Sequence, residues 1–227
     1  MNPKISHAKA KAALEAVFAA LGHSLAAVPL AIRKPTAGKV YEITVLAEVL
    51  VELRGRGFFL AFSNPGAKIE LKGGPGMLDH NDPHFDVATT LGGKPIFEVF
   101  VSVEFRTMGS ASAAKTDLSD RHEIDIGVFD AGSCAYPSHK QVALAVECKA
   151  VTPFTKALVR GVLGLRRELS LLSEPQPSKL AMALGKSVPV VPAEPASEVW
   201  LVASDSQVTS YKASPEHYGV VCKHIAA

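Results

Sequence analysis

Three charged side chains stand in two apolar segments of the chain where buried strands are expected. Asp125 lies within residues 122–129, and Glu147 and Lys149 lie two residues apart at the end of residues 142–149. Residues two apart in a strand share a face, so this carboxylate and this amine point to the same side. Ionised groups beside a core are costly unless a metal or a partner compensates them. The pattern therefore indicates an active site.

The elements before these segments include two predicted helices. An amphipathic helix is predicted over residues 5–21, and a second begins near Lys39 and stops at Gly55 or Gly57. The second helix carries Glu42 in its predicted first turn, where the helix dipole alone favours a carboxylate. Glu42 therefore has a structural interpretation beside a catalytic one.

Strand patterns fill the middle of the chain. Residues 58–63 and 68–72 are predicted to form a hairpin around an Asn-Pro-Gly turn. Further strands are predicted over residues 85–90 and 95–106, and the second of these alternates well between apolar and polar residues. Residues 107–120 are small and polar, which indicates a surface loop.

The C-terminal third combines a helix, a proline-rich segment and two short elements. Thr152 and Pro153 mark the start of a helix with a strong apolar stripe. Five prolines in residues 174–197 predict a loop or insertion rather than a packed element. Residues 199–203 are predicted as a buried strand and residues 215–225 as a closing helix.

The order of these elements and charges resembles that of the PD-(D/E)xK nuclease superfamily. Its restriction-endonuclease-like core carries an acidic residue at the end of one strand and Glu-x-Lys on the next, which Asp125 and Glu147-Cys148-Lys149 match. Glu42 matches the acidic residue often found on the helix before the sheet. Ile124 stands where the family name has proline, a frequent departure. The resemblance covers residues 39–205 and implies an α/β fold in which helices flank a mixed central sheet, here with an inserted β-rich segment.

The resemblance also implies a function, namely metal-dependent hydrolysis of phosphodiester bonds in DNA, as in a restriction or defence endonuclease, with RNA left open as a substrate. Asp125 and Glu147 would coordinate Mg²⁺ or Mn²⁺ with the backbone carbonyl of Cys148, and Glu42 would bind a second ion or a metal-bound water. Such a cation activates water and offsets charge on phosphorus. Lys149 would orient or deprotonate the attacking water.

A basic helix face follows the proposed centre. Lys156, Arg160 and Arg167 share this face, because offsets of 4 and 11 residues return to nearly the same helical angle. These residues are candidates for contacting the nucleic-acid backbone, with strong salt dependence and little sequence information. A solvated face without a partner is the alternative. Cleavage of both strands by one small domain also suggests a homodimer.

Other residues compete for places in the site. Glu104 is the alternative to Glu42. His122 and Glu123 precede Asp125, and Glu123 is expected on the same side of the strand as Asp125. Both are candidates for supporting a metal ligand, although a polar start of a strand explains them equally well. Without its context, a Glu-x-Lys pair indicates only an ion pair at a solvated edge.

A second group of potential ligands lies in residues 79–86, which contain two histidines and three aspartates. This composition suits a metal, but its Pro and Asn-Asp content predicts a structural loop. If this segment lined the main pocket instead, the chain would be a small-molecule hydrolase or ligand-binding domain. A further alternative is a non-catalytic module of the nuclease-like fold that binds nucleic acid or a protein.

Composition sets the broad class. The 227 residues, 48% of them hydrophobic, can bury the core of one domain spanning residues 1–227. The net charge of +2 is too small to favour or to exclude nucleic acid as a partner. Three distant cysteines without zinc-site spacing favour a reduced, cytoplasmic compartment. Glu15 and His23 interrupt the alanine-rich N-terminal run, which argues against a secretory signal. No run of 18 apolar residues predicts a membrane span.

Overall fold

A mixed seven-stranded sheet with helices on both faces forms the centre of the protein. The computed structural model describes residues 7–20, 30–32, 36–63, 69–112 and 117–226. The predicted α/β class with a mixed central sheet flanked by helices is confirmed.

The helices and strands have the following bounds. The helices are α1 His7–Ala20, α2 Ala37–Arg56, α3 Met108–Ser112, α4 Lys156–Leu169, α5 Lys179–Ala183 and α6 Ala213–His217. The strands are β1 Leu30–Ile32, β2 Phe59–Ser63, β3 Ile69–Leu71, β4 His84–Ala88, β5 Phe97–Arg106, β6 Arg121–Asp130, β7 Val142–Lys149, β8 Leu171–Pro177, β9 Val190–Glu194, β10 Glu198–Ala203 and β11 Val220–His224.

The strand order of the central sheet is β11-β10-β7-β6-β5-β4-β2. Neighbouring strands from β2 to β7 are antiparallel, whereas β7, β10 and β11 run parallel. Two further pairs lie outside this sheet: β1 with β3, which is parallel, and β8 with β9, which is antiparallel. The parallel step from β7 to β10 requires a crossover, and that connection contains α4.

Two apolar clusters cover the two faces of the sheet. Side chains of β7 alternate between them, so Leu144 and Val146 pack with α1 and α2 while Ala145 packs with α4. All three are fully buried. Burial on both faces explains why the first five residues of β7 read as one apolar run.

The odd-numbered side chains of β5 point to the α2 side of the sheet before Ser102 and to the α4 side after it. Val99 packs in the α2-side cluster, whereas Val103 and Phe105 pack in the α4-side cluster. The strand predicted over residues 95–106 is confirmed, although its regular alternation of apolar residues does not keep them on one face. Ser102 has φ 52°, a left-handed conformation that rotates the strand and shifts the parity of the following side chains.

The N-terminal predictions are confirmed in part. Helix α2 forms as expected and ends at Gly57, whose φ of 113° suits a residue without Cβ. Glu42 lies in its second turn, so a first-turn dipole effect does not explain it. The hairpin prediction is wrong, because β2 pairs with β4 and β3 pairs with β1. Its turn, residues 64–66, lies outside the described residues.

The C-terminal predictions need three corrections. The predicted helix forms as α4, but it begins at Lys156 and not at Thr152 or Pro153. Residues 174–197, expected as a loop or insertion, contribute to β8, α5 and β9, because prolines are tolerated in a short ribbon with exposed edges. The closing helix over residues 215–225 is wrong, since α6 ends at His217 and the chain then forms β11. Gly219, at φ 70°, makes the turn between them. The buried strand over residues 199–203 is confirmed as β10.

Candidate functional site

The sheet opens between β6 and β7 at the point where the predicted charges lie. The ladder joining these strands ends at the Ile126–Val146 pair. Beyond that pair, Glu147 and Lys149 are in register with residues of β10, and Ile124 is in register with β5. The two strands therefore separate and leave a fork, which we define by Asp125 on β6 and residues 147–149 on β7.

Asp125 bridges this fork with its side chain. Its Oδ2 accepts a hydrogen bond of 2.7 Å from the backbone N–H of Cys148. The carboxylate thus replaces a ladder acceptor and is fixed in orientation, with its second oxygen left for another partner. The Cys148 side chain itself is buried, and burial raises the pKa of its thiol well above the ordinary value. Cys148 therefore contributes backbone atoms rather than a thiolate.

Glu147 and Lys149 form an ion pair, as expected from their shared face. Both side chains are partly exposed. Burial and the charge of Asp125 raise the pKa of Glu147 despite the neighbouring ammonium. Burial would lower the pKa of Lys149, but the carboxylates of Glu147 and Asp125 outweigh burial and raise it. Lys149 is consequently a cation at neutral pH.

A second lysine links the helix α2 to the fork. Lys39 Nζ lies 2.8 Å from Glu42 Oε2, 2.6 Å from Ser102 Oγ and 3.7 Å from Glu123 Oε1. Lys39 and Glu42 are one helical turn apart, so α2 presents both to the sheet. The hydroxyl of Ser102 accepts a hydrogen bond from the ammonium, which ties the left-handed residue of β5 to this cluster.

Ser102 and Asp125 face each other across β5 and β6. Regular pairs lie on both sides, Val101–Ile126 and Val103–Ile124, but the Ser102–Asp125 position is missing from the ladder. The carbonyl of Ser102 instead accepts from the N–H of Gly76, at 3.2 Å. A non-glycine residue in this conformation costs roughly 1–2 kcal/mol. The local distortion therefore lies directly beside the carboxylate that spans the fork.

The pKa of Glu42 shows how crowded the carboxylates are. Burial, followed by the charges of Asp125 and Glu123, raises this pKa to about 7 even though Lys39 opposes the change. Burial and Asp125 also raise the pKa of Glu123. Asp125 thus acts on Glu42 on one side and on Glu147 on the other. It lies electrostatically at the centre of the group.

Carboxylates dominate this group, although among the described residues no three of its ligand atoms lie within 4.8 Å of one another. The group consists of four carboxylates and two ammonium ions, namely Glu42, Glu123, Asp125, Glu147, Lys39 and Lys149. When all six are ionised, their formal charge is −2. Raised carboxyl pKa values in such a group mean that a bound cation would be stabilised there.

The remaining sequence candidates occupy different positions. Glu104 lies 3.8 Å from Arg121 in an ion pair, and Glu42 rather than Glu104 meets Lys39 beside the fork. His122 is exposed at the start of β6. Glu123, expected only as support, is part of the cluster. The sequence analysis did not predict Lys39 or Ser102 as part of the site. The three-residue spacing between Lys39 and Glu42 could have indicated their contact, whereas no sequence pattern indicates that Ser102 adopts a left-handed backbone conformation.

The three basic residues predicted to share one face of α4 lie on its surface. Lys156, Arg160 and Arg167 are exposed, as a solvent-facing basic stripe requires. Arg166 beside them is buried and donates to the carbonyl of Ser197, and burial lowers its pKa to about 10. The stripe leaves three cations available for an anionic partner.

A separate acidic and histidine cluster lies on β4 and β5. Ligand atoms of His84, Asp86 and Glu98 lie within 4.8 Å of one another. Among the described residues, no other three such side chains come together within that distance. These residues could hold a metal ion. Residues 79–86 were predicted as a structural loop, but His84 and Asp86 belong to a strand, and their common face was the sequence signal.

The cavity beside this segment bears on the ligand-binding alternative. A surface cavity of about 620 Å³ is lined by residues 72–77 together with Asp79, Asp82 and Tyr136. It is wide and open, and it does not include the His84 cluster. A small-molecule ligand could therefore bind in this cavity, but the His84 and Asp86 side chains of β4 do not line it.

Comparisons with protein-family models, with curated proteins and with solved structures find no match to this chain. Within the described residues, none of the helices is long and apolar enough to cross a membrane.

Proposed function

We propose that the chain is a metal-dependent nuclease that hydrolyses phosphodiester bonds in DNA, using Mg²⁺ or Mn²⁺ at the fork between β6 and β7. The observation that carries this proposal is the meeting of Asp125, Glu147 and Lys149 where the two strands separate. Glu147 and Lys149 are partly exposed there, so a reacting group can reach them.

The element order supports a restriction-endonuclease-like core. Helix α2 carries Glu42, the antiparallel strands β5, β6 and β7 follow, and α4 leads into β10, parallel to β7. This is the order on which the resemblance to PD-(D/E)xK nucleases rests. In this interpretation β2 to β4, between α2 and β5, are the inserted β-rich segment.

The chain's residues divide the work as follows. Asp125, held by the Cys148 N–H, and Glu147 would hold the cation; Glu147 would exchange its contact with Lys149 for the metal. When bound, the cation supplies a Lewis acid and a more acidic water. Lys149, released from Glu147, would orient or deprotonate the attacking water and offset phosphate charge.

Glu42 and the lysine beside it complete the site. A carboxyl group with a pKa of about 7 exchanges protons readily near neutral pH, which suits either a bound water or a second ion. The ammonium of Lys39 contacts both Glu42 and Glu123, so we expect this lysine to position Glu42. The exposed cations Lys156 and Arg160 would contact the DNA backbone.

The test is cleavage of supercoiled and linear DNA by the purified chain with Mg²⁺, with Mn²⁺ and with a chelator. We expect cleavage only with metal, and its loss in Asp125→Asn, where the amide still accepts from the Cys148 N–H. Glu48→Gln is the matched control, because Glu48 is exposed on α2 away from the fork. Binding of DNA without cleavage by the wild type would favour the non-catalytic module.

A further inference from the structure

The face shared by β4 and β5 carries a second group of metal-ligand side chains. His84 and Asp86 are two residues apart on β4, and Asp86 is paired with Glu98 on β5. His84 and Glu98 are buried, at 6% and 8% exposure. Two carboxylates and an imidazole facing one another away from water need a proton or a cation between them.

The hydrogen bonds of His84 settle which nitrogen is free. Its Nδ1 lies 2.8 Å from the carbonyl oxygen of Asp82, which only accepts, so Nδ1 carries a proton. The other ring nitrogen, Nε2, faces Asp86 Oδ1 at 3.7 Å. Stacking of the ring on Phe100, with centroids 4.6 Å apart, holds this orientation. Nε2 is therefore the nitrogen placed to bind a metal together with Asp86.

The separation suits a shared metal better than a hydrogen bond. A direct N–H···O bond would be about 2.7–3.2 Å long. Two ligands of one tetrahedral ion, each about 2.0–2.2 Å from it, lie about 3.3–3.6 Å apart. The measured 3.7 Å is close to the second range. All three ligand atoms lie within 4.8 Å of one another, so shifts of about 1 Å or less in each side chain would close the site.

The carboxylates of Asp86 and Glu98 each accept a hydrogen bond from a neighbouring residue. Ser63 Oγ donates to Asp86 Oδ2 at 2.6 Å, and the N–H of Gly132 donates to Glu98 Oε2 at 3.3 Å. His80 Nδ1 lies 3.4 Å from the same oxygen of Glu98. Such supporting donors are typical of metal sites, where they orient the ligands. Residues of four segments therefore converge on this one point.

We propose that His84, Asp86 and Glu98 bind one transition-metal dication of the Zn²⁺ class, independently of the fork. An imidazole ligand disfavours Mg²⁺ and suits Zn²⁺ or Co²⁺, and three protein ligands leave a fourth position for water. The ion would neutralise the two carboxylates and cross-link β4 to β5. Its first role is stabilising this edge of the sheet, since its ligands bridge two strands beside β2.

Metal titration of the full chain tests the site. After chelation and dialysis, Co²⁺ is added and its visible absorption followed, and Zn²⁺ is then used to displace it. We expect one Co²⁺ per chain with the strong visible absorption of a four-coordinate site, whether or not the fork also takes up an ion, and a melting temperature that Zn²⁺ raises. Asp125→Asn, which removes a ligand of the fork, should behave like the wild type in both measurements.

Two isosteric variants complete the design. Asp86→Asn keeps an acceptor for Ser63, and Glu98→Gln keeps one for Gly132, so both retain the supporting bonds. Each should weaken Co²⁺ binding by about 100-fold or more, since loss of a merely supporting group already costs about 10–100-fold. The proposal is overturned if the wild type shows no Co²⁺ absorption, or if both variants bind as the wild type does. Loss of binding in Asp125→Asn alone would assign the ion to the fork and also overturn it.

Discussion

Replacing Glu42 with glutamine removes the charge that burial and Asp125 disfavour. The pKa of Glu42 rises from 4.5 to about 7 on folding, so the folded protein holds this proton more tightly than the unfolded chain. The cost to the folded state is absent below the unfolded pKa, grows as pH rises between the two values, and is complete above pH 7. At its full extent it is about 3 kcal/mol.

Urea denaturation in the presence of a chelator measures this effect. We expect Glu42→Gln to exceed the wild type in unfolding free energy by about 1 kcal/mol at pH 5 and about 3 kcal/mol at pH 8.5. Glu48→Gln, exposed on the same helix, should show no such trend. A Glu42→Gln difference that stays constant with pH, or that becomes destabilising at pH 8.5, would refute the crowding of carboxylates at the fork.

Three further outcomes follow from local geometry. Ser102→Ala should be less stable than Ser102→Gly by about 1 kcal/mol in urea denaturation, the reverse of the usual order in a strand, because only glycine relieves the left-handed backbone. Gly127→Ala should lose about 1–3 kcal/mol by the same assay, because its Cβ would meet the buried ring of Phe129 at 2.3 Å. Lys156→Ala and Arg160→Ala should each reduce the salt dependence of DNA binding by about 1 in the log–log slope, measured by fluorescence anisotropy; unchanged slopes would remove α4 from the interface.

The strands that meet at the fork could be predicted from the sequence because their signals are local. Apolar runs identify β6 and β7, adjacent strands bring their charges close, and two-residue spacing places Glu147 beside Lys149. The fork itself could not be predicted. It depends on the end of the β6–β7 ladder at the Ile126–Val146 pair, and no local pattern of residue types encodes where that ladder ends.

The other errors have the same physical origin. A turn signal at residues 64–66 suggested a hairpin, yet long-range pairing sends β2 to β4. The prolines of residues 174–197 predicted a loop, but β8 and β9 form a two-stranded ribbon whose pairing tolerates the missing N–H donors. Glu98 lies far in sequence from His84, so the strand pairing that assembles their cluster was invisible.

The rate of DNA cleavage by Lys149→Met tests the central claim most directly. In single-turnover reactions with saturating Mn²⁺ and enzyme in excess over a labelled duplex, we expect the wild type to cut and the variant to be slower by about 10²-fold or more, with DNA affinity nearly unchanged. Lys94→Met, exposed and distant from the fork, should match the wild type. Equal cleavage rates for Lys149→Met and the wild type would contradict the account.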